Sequence, residues 1–127
     1  MDCPFCLPLV EHQNIVFAHE HGYFLQGEEP VLIGSGIIVP RRHRETVFDL
    51  TPEEWAAAYE LLGQAKAYLD RRCKPAGYTV GWNSGAVAGQ EIFHAHLHVI
   101  PRYADEPLAG KGIRHWIKQP ENRRPSR

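Results

Sequence analysis

The stretch His94-Ala95-His96-Leu97-His98-Val99-Ile100 sets an imidazole at every second position and an apolar residue between each pair. Side chains on a β-strand point alternately to its two faces. His94, His96 and His98 therefore share one face, and Ala95, Leu97 and Val99 the other. Neighbouring imidazoles on that face start about 6.6 Å apart, twice the rise per residue of a strand. The apolar face fits a hydrophobic core. The imidazole face lines a polar site, because three adjacent rings repel one another once protonated and need partners when buried. Three readings of that face stand open. It is a His-rich solvated surface, or its rings converge on one catalytic metal, as i and i+2 imidazoles can around zinc. In the third, one ring is a nucleophile, since neutral imidazole attacks phosphorus and then leaves, splitting a phosphoryl transfer into two easier steps. A neighbouring imidazole then carries a proton near neutral pH.

The loop just before this run supports the third reading. Ser84-Gly85-Ala86-Val87-Ala88-Gly89-Gln90 is made of small residues, whose backbone N–H groups can approach an anion closely. Around it, residues 78–83 and 91–100 read as strands, the second ended by Pro101. Further upstream Thr51 is a good N-cap, Pro52 suits the first helical position and Glu54 completes a capping box. Trp55, Tyr59, Leu62, Ala65 and Leu69 form one apolar stripe. The helix ends near Arg72, giving about 22 residues and a length of roughly 33 Å. Residues 14–17 and 23–26 flank a polar turn as a β-hairpin, and residues 31–39 form another strand closed by Pro40. The order β-β-β-α-β-β predicts an α+β fold, an antiparallel sheet of about five strands covered by one long helix. The polar tail is expected to dock through Ile113, Trp116 and Ile117 before its basic end, with Trp116 and Arg114 reading more readily as packing than as leaving-group contacts.

The composition sets outer limits. A chain of 127 residues suffices for one domain, and 43% hydrophobic with 23% charged residues is ordinary for a globular protein. Fourteen Lys and Arg against fifteen Asp and Glu give a net charge of -1, which argues against a general nucleic-acid binder and against a polybasic membrane face. The apolar run at 31–39 is too short to span a bilayer and is interrupted by Gly34, Ser35 and Gly36. Met1-Asp2-Cys3-Pro4-Phe5-Cys6 lacks the basic and apolar regions of a secretory signal, so a cytoplasmic address is expected. Cys3 and Cys6 stand at C-x2-C spacing, which in a reducing compartment points to metal or redox chemistry rather than a structural disulfide. Cys73 reads as an incidental thiol.

The run at 94–100 resembles the H-φ-H-φ-H-φ-φ signature of the histidine triad (HIT) nucleotide hydrolases and transferases. The resemblance extends to Gly81-Trp82-Asn83-Ser84-Gly85, Ala88-Gly89-Gln90, Ile100-Pro101-Arg102, Val39-Pro40-Arg41-Arg42-His43 and Phe48-Asp49-Leu50, and so covers most of residues 3–102. It implies one HIT domain over 1–127, with a polar C-terminal tail from about residue 103 and sheets joined in a homodimer. It implies a nucleotide hydrolase or nucleotidyl transferase in which His96 attacks the α-phosphorus of a purine nucleotide and forms a nucleotidyl-histidine. His98 would hold phosphate oxygens and assist the proton, while Asn83, Gly89 and Gln90 would contact the phosphates. Nucleoside phosphoramidates, adenylylated amines and dinucleoside polyphosphates are the implied substrates. Cys3 and Cys6 match the zinc-containing branch, in which His43 and His94 would complete a closed, structural Cys2His2 site for Zn2+.

Two positions depart from the pattern. Gly27 stands where an acidic residue or Asn commonly grips the ribose, leaving Gln26, Glu28 or Glu29 as substitutes. Glu91 stands where Ser or Thr often faces phosphate, and on an ideal strand it points away from the triad. The rival readings are a zinc-stabilised nucleotide-binding protein without turnover, and a hydrolase with one catalytic metal on His94, His96 and His98.

Overall fold

The computed structural model describes residues 2–125. Its elements are β1 (Ile15–His19), β2 (Gly22–Leu25), β3 (Gly36–Pro40), α1 (Pro52–Cys73), β4 (Gly77–Trp82) and β5 (Leu97–Arg102). The strands form one five-stranded sheet in the order β1-β2-β3-β5-β4, every neighbouring pair antiparallel. The α+β expectation, a sheet of five strands with one long helix, holds. No helix among the described residues is long and apolar enough to cross a membrane.

α1 begins where its sequence says it should. Thr51 Oγ1 accepts from the Glu54 N–H at 3.1 Å, and Glu54 Oε1 accepts from the Thr51 N–H at 2.8 Å, so two orphan donors of the first turn are satisfied reciprocally. The helix stops at Lys74, in the left-handed region at φ 50°, just before Pro75. Its buried side chains are Glu54, Ala57, Ala58, Leu61, Ala65 and Leu69. The stripe read from the sequence is therefore rotated. Trp55 is 49% exposed and Tyr59 78%, because small Ala58 rather than a large aromatic lies against the sheet. Trp55 instead lies edge-on to Trp82, with ring centroids 5.8 Å apart.

Two apolar layers sandwich the sheet. On one face Ala58, Leu61, Ala65 and Leu69 of α1 pack with Phe24, Ile38, Leu97 and Val99. On the other, Phe5 and Val10 of the N-terminal segment pack with Tyr23, Leu25 and Val39. Each large apolar side chain removed from water contributes roughly 1.5–3 kcal/mol.

Two strands differ from expectation. The third starts at Gly36 rather than near residue 31. Glu29 Oε1 accepts from the Val31 and Leu32 N–H groups, Ser35 N–H bonds the Leu32 carbonyl, and Gly34 takes φ 86°, so residues 29–35 form a turn. The last strand starts at Leu97 rather than residue 91 and runs through Pro101 to Arg102. β3 begins opposite Val99, so Pro101 sits where β5 has no neighbour on that side and a missing N–H costs little. Upstream of Leu97 the chain leaves the sheet because the Ala95 N–H bonds the Arg44 carbonyl at 2.7 Å.

Candidate active site and metal centre

The alternation read from the sequence survives from residue 95 to residue 100. Ala95, Leu97 and Val99 are buried, while His96 and His98 are half-buried on the opposite face. His94 does not join them. It is fully buried, and its Nδ1 lies 3.4 Å from Cys3 Sγ and 3.5 Å from Cys6 Sγ. His43 Nδ1 is 3.4 Å from Cys6 Sγ, and the four donor atoms all lie within 4.8 Å of one another.

These separations match the edges of a tetrahedron of ligands that could close around an ion. Ligand bonds of about 2.3 Å to sulfur and 2.0–2.1 Å to nitrogen give a sulfur–nitrogen edge of about 3.5 Å. The electrostatics point the same way. Burial and the neighbouring Cys3 push the Cys6 thiol up to about 11, a cost that a bound cation reverses. The His94 Nε2–H donates to the Pro40 carbonyl at 2.8 Å, which fixes the tautomer and leaves Nδ1 as the ligating atom. The residues present fit a Cys2His2 zinc site with no open position. Among the described residues no metal-ligating cluster includes His96 or His98. The reading with one catalytic metal on all three histidines therefore falls, because His94 turns to the thiols.

His96 is oriented from two sides. Its Nδ1–H donates to the His94 carbonyl at 2.9 Å, so the Nε2 lone pair is left free. Phe5, from between the two cysteines, lies 5.5 Å from the His96 ring and 5.7 Å edge-on to His94. The His98 ring is 4.9 Å from that of His96. Burial, and then the His96 ring, hold His98 below the usual imidazole value, which favours its neutral form.

The loop before the triad is tightly self-bonded. Gly85 and Gly89 take φ 91° and 97°, conformations open to glycine, and flank a short 3-10 turn over Ala86–Ala88. The Gly89 N–H bonds the Ala86 carbonyl, and the Gln90 N–H bonds the Gly85 carbonyl. The Gln90 side chain is buried and fully engaged. Its Oε1 accepts from the Gly85 N–H at 2.8 Å, and its Nε2 donates to the carbonyls of Glu45 at 2.6 Å and Ile92 at 3.1 Å. Gln90 holds the loop to residues 45 and 92. The exposed Asn83 amide lies beside Gly89, 3.8 Å from where a Cβ would stand. Glu91 is exposed.

A cavity of about 260 Å³ opens beside His98, lined among others by Gln13, Leu25, Gly27, Glu28, Ser35 and Ile37. Nothing lies within 4 Å of a Cβ built on Gly27. Of its polar neighbours, Gln26 is spent on the Gly34 carbonyl and Glu29 on the turn above, whereas Glu28 has no such bond among the described residues. Gln13 and Ser35 were not legible as lining residues, since they come from two loops far apart in the chain.

The HIT domain family matches residues 9–105. A 16.1 kDa HIT-like protein of Mycoplasma pneumoniae is 34% identical over 126 residues, covering 96% of this chain and 83% of that one. A bis(5'-adenosyl)-triphosphatase of Dictyostelium discoideum is 31% identical over 94 residues, covering 74% of this chain and 63% of that one. Among solved structures, a Zn-bound histidine triad family protein from Mycobacterium smegmatis superposes with a TM-score of 0.68 at 23% identity, covering 77% of this chain and 71% of that one. On the family match over most of its length, and on the triad and sheet that carry it, the chain belongs to the HIT domain family.

Proposed function

We propose that the protein is a nucleotide hydrolase or nucleotidyl transferase that works at the α-phosphate through a covalent nucleotidyl-His96. The observation that carries this reading is the clasp on His96, whose Nδ1–H is spent on the His94 carbonyl while Nε2 stays free beside the His98 ring. In the first step Nε2 attacks phosphorus, the bond from phosphorus to the leaving nitrogen or oxygen breaks, and the leaving group takes up a proton that His98 relays from solvent. In the second, water attacks phosphorus, its proton returns to solvent by the same relay, the phosphorus–Nε2 bond breaks, and a nucleoside monophosphate departs. The Asn83 amide stabilises charge on the phosphate oxygens without itself ionising. Gln90 serves by holding the Gly85–Gly89 turn in place, and Gly89 by its φ.

The substrate class is a purine nucleoside phosphoramidate or dinucleoside polyphosphate, the nucleoside seated in the cavity beside His98. Glu28 is the group there with an unspent carboxylate for ribose hydroxyls. The related triphosphatase supports a nucleotide substrate of this kind. Cys3, Cys6, His43 and His94 hold a structural Zn2+, which pins the N-terminal segment to the sheet. A reducing, cytoplasmic compartment would keep both thiols available for it. We further assign one HIT domain to the chain, its C-terminal segment from about residue 103 folded back on it. The unpaired edge of β4, and exposed Trp55 against Trp82 at the end of that strand, favour a homodimer over a monomer.

The test is turnover of a fluorogenic adenosine phosphoramidate. The reading expects hydrolysis by the wild type and its loss in His96→Ala with the melting temperature preserved. Binding of the nucleotide without turnover by the wild type would make this a binding protein instead.

A further inference from the structure

Cys3 and Cys6 stand at a spacing that suits redox chemistry as well as a metal. The chain between them is folded into a turn, with the Cys6 N–H bonded to the Cys3 carbonyl at 3.2 Å. Such a turn brings its first and fourth Cα atoms within roughly 7 Å of each other, close to the span that a disulfide bridges. The donor atoms of the cluster all lie within 4.8 Å of one another, so the two sulfurs share one small space. Closing that gap to a bond needs side-chain rotation and no shift of strand or helix.

The pair is also accessible and isolated. His94 is fully buried behind it, whereas Cys3 and Cys6 are half-buried and His43 is exposed, so a small oxidant can approach the sulfurs from solvent. The third thiol lies elsewhere. Cys73 packs on the α1 side of the sheet, while Cys3 packs with Phe5 and Val10 on the opposite side. The chain thus has one thiol pair and one thiol held apart from it.

We infer that Cys3 and Cys6 are a reversible oxidation site, which a hydroperoxide converts to a disulfide with release of the zinc they would hold. The release rests on the zinc reading above, and the bridge on the two thiols alone. One thiolate sulfur attacks the outer peroxide oxygen, the O–O bond breaks, and the departing alkoxide takes a proton to leave as an alcohol, or as water from hydrogen peroxide. The second thiolate attacks the sulfenic sulfur so formed, the S–O bond breaks, and the hydroxide takes a proton to leave as water. The two sulfurs lose two electrons between them, and the peroxide gains both. His43 and His94 then remain as two neutral ligands where a closed site needs four. The N-terminal segment, whose Phe5 lies against the His94 and His96 rings, loses its fastening. The bridge compensates little, because it closes a loop of only four residues, whereas the ion would join positions 3, 6, 43 and 94.

Hydrogen peroxide added to the zinc-loaded full chain tests this without any turnover. The expected result is release of the bound zinc, read with a chromophoric chelator, and a mass loss of two hydrogens on the peptide that carries both thiols. The melting temperature falls in step, and dithiothreitol with added zinc restores it. Cys73→Ser behaves as the wild type throughout. Zinc retained with both thiols unmodified, oxygen added to either sulfur without a bridge, or a bridge that includes Cys73 overturns the assignment. Failure of the zinc reading looks different, since the chain then takes up no zinc before any oxidant is added. The mass measurement still decides in that case: a Cys3–Cys6 bridge upholds the oxidation site, and its absence overturns it.

Discussion

Phe5 shows how single side chains couple the metal site to the chemistry. It sits between the two thiols in sequence and touches both the His94 and His96 rings in space. It is buried with Val10, Tyr23, Leu25 and Val39. Phe5→Ala should cost about 3–5 kcal/mol of stability, read by denaturant unfolding, and free the His96 ring to rotate, lowering kcat more than it raises KM. Phe5→Leu should restore most of both. A variant with wild-type kcat would detach Phe5 from the nucleophile. At this level the sequence told much: period-two histidines named the site, and Ala95, Leu97 and Val99 do face the core. The destination of His94 could be read from family likeness and not from the strand period. It depends on the Ala95-to-Arg44 hydrogen bond, which pulls the chain out of the sheet. The full engagement of Gln90 was equally invisible, since two of its three partners are backbone groups of residues 45 and 92.

Among the elements, the short turn at 43–46 ties the site together. His43 belongs to the metal cluster, Arg44 supplies the carbonyl for Ala95, and Glu45 the carbonyl for Gln90. The Arg44 Nε also donates to Glu54 at 3.0 and 3.1 Å, linking the turn to the first turn of α1. Burial pushes the Glu54 carboxyl up, but the Arg44 and Thr51 hydrogen bonds outweigh it and leave it below the usual range. Its stabilising contribution is therefore complete above the unfolded value near 4.3 and is lost as pH falls through the lower folded value. Glu54→Gln should cost about 2 kcal/mol at pH 7, with the gap from wild type closing below roughly pH 4 in unfolding curves. A gap independent of pH would remove the ion pair from the account. The capping box of α1 was legible because it is local, fixed by Thr51, Pro52 and Glu54. The buried face of the helix was not, because Trp55 and Tyr59 are apolar at the right spacing and yet lie outside. The overlong strand at 31–39 has the same origin, an apolar composition that Glu29 and Gly34 convert into a turn.

For the molecule as a whole, the sheet is held between α1 on one face and the N-terminal segment on the other, and Ile113 of the C-terminal segment lies over Gly81 of β4. The four residues that could hold zinc stand at positions 3, 6, 43 and 94, so a bound ion would fasten the N-terminal segment to the rest. Chelation should lower the melting temperature first, by the equivalent of about 4 kcal/mol when zinc is near a thousandfold above its dissociation constant. Turnover should persist below the new melting point. Immediate loss of turnover at unchanged melting would make the ion catalytic. The tail was expected to dock through Ile113, Trp116 and Ile117. All three stay exposed, Ile113 at 58%, Trp116 at 67% and Ile117 at 63%, although the Ile113 side chain reaches over Gly81 and the Trp116 ring lies edge-on to His115. Composition could not foresee that Arg102, which donates to the Leu108 and Lys111 carbonyls, anchors this segment rather than the apolar residues. The account as a whole turns on a covalent phosphorus–nitrogen bond at one ring. The most direct measurement is mass spectrometry of the protein quenched at alkaline pH within milliseconds of mixing with a slowly hydrolysed nucleoside phosphoramidate. The account predicts a nucleoside monophosphate adduct on His96, formed and consumed at rates consistent with turnover. Product accumulating with that ring unmodified throughout would contradict it.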